Sequence, residues 1–206
     1  MIDVIVPVHY QNVTQAVFGC LTHLADHTDV PLRFIIAGRG GARDDWEMIR
    51  DWLDQLRDEA GLHYGILATD SAIGNNWAAV AGVLDMIKHD HVFICNSSVL
   101  INDDLWFTKM RAPINQAPYV GGVFLPAKFG GSSTLEPHPL NDIHDIVDSA
   151  ALLTTRAYIQ MASPMPPGDS FSEQFQRALI PSGATRWSHP GVNFEVRSES
   201  ANWSHR

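Results

Sequence analysis

The stretch His91–Asp104, "HVFICNSSVLINDD", decides how this chain is read. It opens on Val92, Phe93, Ile94 and Cys95, an unbroken apolar run of the kind that forms a strand covered on both faces. It then passes through Asn96, Ser97 and Ser98 before turning apolar again. A core strand that ends in an amide and two hydroxyls puts hydrogen-bonding groups, not carboxylates, at the edge of a sheet.

Working outward, the same alternation repeats upstream. "IDVIVPV" (Ile2–Val8), "LRFIIAG" (Leu32–Gly38) and "HYGILAT" (His63–Thr69) are three more short apolar runs. Between them, Val13, Ala16, Val17, Cys20, Leu21 and Leu24 recur at helical spacing. Trp46, Ile49, Leu53 and Leu56 do the same, with acids in the first turn and Gly61 at the stop. "GNNWAAVAGVLDMIKHD" predicts a third helix leading into the strand at His91. The order βαβαβαβ predicts an α/β fold: a Rossmann-like, mostly parallel sheet flanked by helices, with right-handed crossovers. Ligands of such sheets bind beyond the carboxyl ends of the strands. Those ends are "PVHYQ", "AGRGGA", "TDSAIG" and "CNSSV", so Asn96–Ser98 lie on the rim where a ligand would sit.

The second half is richer in Pro and Gly. "YVGGVFLPA" predicts a strand and Lys128–Asn141 a long loop, a feature that is usually functional or mobile. "DSAALLTTRAYIQM" reads as a strand entering a helix. "GDSFSEQFQRALIPSG" reads as a short amphipathic helix with Phe171, Phe175 and Leu179 on one face, and "VNFEV" as a last strand. No repeat or linker divides the chain, which reads as a single domain over 1–206.

The chain has 206 residues, 45% hydrophobic and 18% charged, and a formal charge of −9. That charge disfavours nucleic acid as a partner. Cys20 and Cys95 read as buried thiols of a reducing compartment. The N-terminus lacks a basic n-region and no window reaches the roughly 20 apolar residues of a membrane span. The expectation is a cytoplasmic protein.

"VIVPVHYQN", "VFGCLTHLADHTDVPLRFIIAG" and above all "IGNNWAAVAGVLDMIKHDHVFICNSSVLINDDLW" resemble the GT-A glycosyltransferases, in their family 2-like branch. "VDSAALLTTRAYI" and "GDSFSEQFQRALIPSG" are similar to that family's acceptor-side segment and base-carrying helix. The resemblance runs from about Ile2 to Val196. It implies a nucleotide-binding half over 1–104 and an acceptor and catalytic half over 105–206. It implies sugar transfer from a nucleotide sugar, with Pro7, His9, Gly38, Asp70, Asn76, Asn96, Ser97 and Ser98 around the donor. Asp169 is then the general base, with Glu173 as second choice. The family's Asp-x-Asp metal motif falls on Asn96-Ser97-Ser98, its base-holding Asp on Ala37 and its helix Asn on Val80. Hard cations want charged oxygens. Mn²⁺ or Mg²⁺ is conceivable, but the expectation is a metal-independent enzyme, or a non-catalytic nucleotide- or sugar-binding module of the same fold.

Each candidate also has a structural reading. Asn96–Ser98 can simply satisfy local backbone groups in a turn. Asp103 and Asp104 resemble a displaced metal pair, but Asn102 or Asp103 fits a helix cap better, and Asp169 suits an N-cap as well as it suits a base. His9 and Asp70 are as consistent with an ordinary loop and an Asx turn as with base or ribose contacts. Gly38, Gly40 and Gly41 form no phosphate motif. The pairs His89/His91 and His138/His144, the latter with Asp148, match no structural zinc spacing. A side chain such as Trp77 or Phe129 filling the rim pocket would favour the non-catalytic reading.

Overall fold

The apolar runs become strands and the amphipathic segments become their crossovers. The computed structural model describes residues 1–9, 15–39, 43–60, 63–69, 76–117, 119–126, 138–140, 149–162, 175, 179, 183–188 and 191–196. In chain order come β1 (Ile2–His9), α1 (Gln15–Asp26), β2 (Leu32–Arg39), α2 (Arg43–Ala60), β3 (His63–Thr69) and α3 (Asn76–Ala81). Then come β4 (His91–Cys95), β5 (Val99–Ile101), α4 (Trp106–Gln116), β6 (Val120–Pro126), β7 (His138–Leu140) and β8 (Ser149–Thr155). Last are α5 (Arg156–Ala162), β9 (Thr185–Ser188) and β10 (Phe194–Val196). One eight-stranded sheet has the order β3-β2-β1-β4-β8-β6-β9-β7, and β5 pairs with β10 in a separate two-stranded sheet. β1 to β4 are mutually parallel; β8 runs against β4 and β6, and β7 against β9. The sheet is therefore mixed but mostly parallel, and it draws strands from both halves of the sequence.

Alternation along the strands divides the core in two. Val4, Val6, Val8, Phe34 and Ile36 pack with Val17, Cys20, Leu21 and Leu24 of α1 and with Trp46, Ile49 and Leu53 of α2. Ile5, Ile35, Val92 and Ile94 face the other way, toward Ala79 and Val80 of α3 and Ile159 of α5. Phe175 and Leu179 are buried in the same cluster, both in helical conformation and one turn apart as expected. Gly38 has a packing reason for being glycine. A Cβ there would stand 2.5 Å from the Trp46 ring.

Three expectations change. The helix predicted from Gly74 stops at Ala81; i→i+3 bonds at Gly82 and Val83 lead into a 3-10 turn, Leu84–Met86. Glycine is a poor helix former, and the N–H groups of Lys88 and His89 are taken by the Asp3 carboxylate at 2.7 and 2.8 Å. The loop expected over Lys128–Asn141 contains β7, an edge strand, where Pro139 costs no ladder hydrogen bond. β9 was not anticipated, because its "TRWS" is short and half polar; it lies inside the sheet between β6 and β7.

Asp3 is fully buried at the amino end of β1. Its carboxylate accepts from Arg33 Nη1 at 2.6 Å and from His89 Nδ1 at 3.1 Å, besides the two N–H groups above. Arg33 donates onward to the Met86 carbonyl at 2.9 Å. Burial alone would raise the Asp3 pKa, but the His89 N–H, the Arg33 guanidinium and the remaining donors together hold it below its ordinary value. At the same end, the Asp29 carboxylate, between α1 and β2, accepts the Phe107 and Thr108 N–H groups at 3.3 and 3.0 Å and so caps α4. Asp103 orders the turn before that helix. It accepts the Leu105 N–H at 3.1 Å, Lys109 Nζ at 2.6 Å and the Asn193 N–H at 3.1 Å. Burial raises the Asp103 pKa less than Lys109 and these N–H groups lower it.

Asp3→Ala leaves Arg33 without its buried partner and should cost about 3–5 kcal/mol in urea unfolding. Because the folded pKa of Asp3 is depressed, its contribution is full above its ordinary value of 3.8 and is lost as pH falls through the folded value. The gap between wild type and Asp3→Asn should therefore close in strong acid; a gap independent of pH would contradict the network. Gly38→Ala should cost about 1–3 kcal/mol through overpacking on Trp46. Asp29→Ala should cost about 1 kcal/mol and speed amide exchange at the first turn of α4.

Candidate functional site

The parallel strands β1, β2 and β3 end in register, His9 against Arg39 and Arg39 against Thr69, while β4 stops earlier, with Ile94 against Ile5. Beside them, β4 ends at Cys95 and the chain turns immediately. The Asn96 N–H donates to the Ala150 carbonyl of β8 at 3.0 Å, and the Asn96 carbonyl accepts the Val99 N–H at 3.0 Å. That closes a tight turn over Asn96–Val99 and redirects the chain into β5.

The backbone makes this turn; the side chains do not. Ser97 and Ser98 are 3% and 4% exposed. Asn96 Oδ1 and Ser98 Oγ are buried and have no hydrogen-bond partner among the described residues. The structural reading of these residues required the opposite, with side-chain oxygens satisfying local N–H groups. An orphaned buried acceptor costs about 1–3 kcal/mol. Two of them share one turn at the carboxyl end of a parallel strand; His23 Nδ1 and Trp106 Nε1 are further buried polar atoms without a partner among the described residues.

Cys20 of α1 and Cys95 of β4 both reach this turn from beneath. Their Sγ atoms lie 3.6 and 3.4 Å from the Asn96 carbonyl oxygen. Both cysteines are free and buried. Burial, with the Cys20 thiol alongside, pushes the Cys95 thiol well above its ordinary pKa, so it stays protonated and can donate. Their burial was legible in the sequence, but their convergence on one carbonyl was not, since 75 residues of chain separate them.

Of the other expected site residues, Pro7 is buried in β1, paired with Ala37. His9 is the last residue of β1, at the rim, and Asn76 is the first residue of α3. Gly38 lies in β2 against Trp46. Asp70, Asp169 and Glu173 lie outside the described residues, as do Phe129, His144, Asp148 and the side chain of Trp77. His89 is occupied by Asp3 at the opposite end of the sheet. His91 stands edge-on to Phe107 at 5.7 Å, and burial followed by the nearby Arg111 charge lowers its pKa. Among the described residues no three His, Cys, Asp or Glu side chains are grouped to hold a metal ion. Nor is any described helix long and apolar enough to cross a membrane.

No protein-family model and no curated protein matches the sequence. Solved structures do match the fold. TarS residues 1–349 from S. aureus aligns with a TM-score of 0.65 at 13% identity, covering 96% of this chain and 60% of that one. The mannosyltransferase PcManGT from Pyrobaculum calidifontis, in complex with GDP-Man and Mn²⁺, aligns at 0.64 and 14%, covering 89% and 53%. GalNAc-T7 with UDP, GalNAc and Mn²⁺ aligns at 0.70 and 10%, covering 99% and 44%. The chain thus spans between 44% and 60% of the length of these three neighbours. With its strand order, its flanking helices and the turn at the end of β4, the chain has the GT-A fold of the glycosyltransferases.

Proposed function

We propose that this chain is a glycosyltransferase that moves a sugar from a nucleotide sugar to an acceptor, and that it holds the donor without a tightly bound divalent cation. The observation that carries the reading is the pair of orphaned oxygens, Asn96 Oδ1 and Ser98 Oγ, in the turn at the carboxyl end of β4. They offer hydrogen bonds to a hydroxyl-rich ligand. They bring no negative charge, so the turn fits a Mg²⁺ or Mn²⁺ site poorly. Hydrogen bonds and positioning would then take up the work of stabilising the departing diphosphate.

In this reading His9, Asp70, Asn76 and the Asn96–Ser98 turn border the donor, with Pro7 and Gly38 shaping the strand ends behind them. Asp169, or Glu173 in its place, takes the proton of the acceptor hydroxyl as the sugar is transferred. Support comes from the fold shared with TarS and PcManGT, structures of which were solved with UDP-GlcNAc and with GDP-Man.

Thermal unfolding with a panel of nucleotides and nucleotide sugars, each with Mn²⁺ and with chelator, tests the proposal. A ligand that binds only the folded state raises the midpoint by mass action. The expected outcome is a rise with one nucleotide sugar that chelator leaves unchanged. A rise only with Mn²⁺ overturns the metal-independent part. No rise at millimolar ligand overturns the transferase reading and favours a non-catalytic interaction module.

A further inference from the structure

We infer that Cys20 and Cys95 are positioning residues: their two buried thiols, from different elements, hold the Asn96 carbonyl and thereby set the aim of the Asn96–Val99 turn. The consequence for ligand binding rests on the donor-site reading above; the effect on the turn does not.

Three donors meet at one oxygen. The Val99 N–H approaches the Asn96 carbonyl at 3.0 Å, Cys95 Sγ at 3.4 Å and Cys20 Sγ at 3.6 Å. A carbonyl with one donor is free to tilt about its peptide; one gripped from the strand, the helix and the turn is not. The Asn96 side chain has no anchor at Oδ1 among the described residues, so its direction is inherited from the backbone that these thiols hold. Thiols are weak donors, but they suit this place. Both cysteines are wholly buried in the apolar layer between α1 and the sheet, where a small, soft donor packs like a hydrophobe. Serine in either place would donate more strongly and pack less well. The pair works only as thiols, because a thiolate has no proton to give to a carbonyl.

The test compares Cys20→Ala, which deletes a donor, with Cys20→Ser, which keeps one. In the ligand-free protein, amide exchange at Val99 should quicken about three- to tenfold in Cys20→Ala, while amides of β2 stay unchanged. Cys20→Ser should restore the wild-type rate. Equal rates in all three proteins, or equal acceleration in both variants, would overturn the inference, since the second pattern reports packing and not the hydrogen bond. Affinity for the nucleotide sugar that shifts the wild type should fall by a similar factor in Cys20→Ala and recover in Cys20→Ser. If the wild type binds none of the panel, the donor-site reading fails and the exchange result still decides the role of the thiols. If Cys20→Ala does not fold, Cys20→Val and Cys95→Ala carry the same comparison.

Discussion

The buried Asp3 carboxylate is the constraint on which the rest depends. Moving an unpaired carboxylate into a core costs several kcal/mol, and the chain meets that cost by bringing donors from two distant segments to one spot. Arg33 comes from β2; the backbone N–H groups of Lys88 and His89 and the His89 ring come from the segment before β4. β1 is the strand between β2 and β4, so a single side chain ties the centre of the sheet together at its amino end. With that end fixed, β1, β2 and β3 run in register and terminate together at the other end.

The two ends of the sheet therefore have opposite chemistry. At the amino end, charges are matched: Asp3 with Arg33, Asp103 with Lys109, His27 with Asp104, and the Asp29 carboxylate with the N-terminus of α4. At the carboxyl end of β4, the side-chain oxygens Asn96 Oδ1 and Ser98 Oγ are neutral and have no partner among the described residues. Stability is concentrated where the network is closed. Among the described residues, the buried ring nitrogens His23 Nδ1 and Trp106 Nε1 also lack a partner.

Much of this was legible in the sequence because it follows from local pattern. Apolar runs of strand length, amphipathic segments between them and Gly and Pro at the boundaries predicted β1 to β4, α1, α2, β6, β8 and α5. Trp46, Ile49 and Leu53 were placed on a buried face by spacing alone. The failures are non-local. β9 is a strand because β6 and β7 offer it partners, and β5 because β10 does. The helix cap expected from Asn102 or Asp103 comes instead from Asp29, while Asp103 orders the turn and holds Lys109 and Asn193.

The sequence by itself determined the fold class and the position of the polar turn, because both are written in the period and polarity of contiguous residues. It left open whether Asn96 and Ser98 serve their own turn or something beyond it. Only the tertiary structure decided whether their side-chain oxygens are met within the described chain, since satisfaction of a buried oxygen depends on what the rest of the chain brings to it. Here the chain brings two thiols and an N–H to the Asn96 backbone carbonyl, and no described group to Asn96 Oδ1 or Ser98 Oγ.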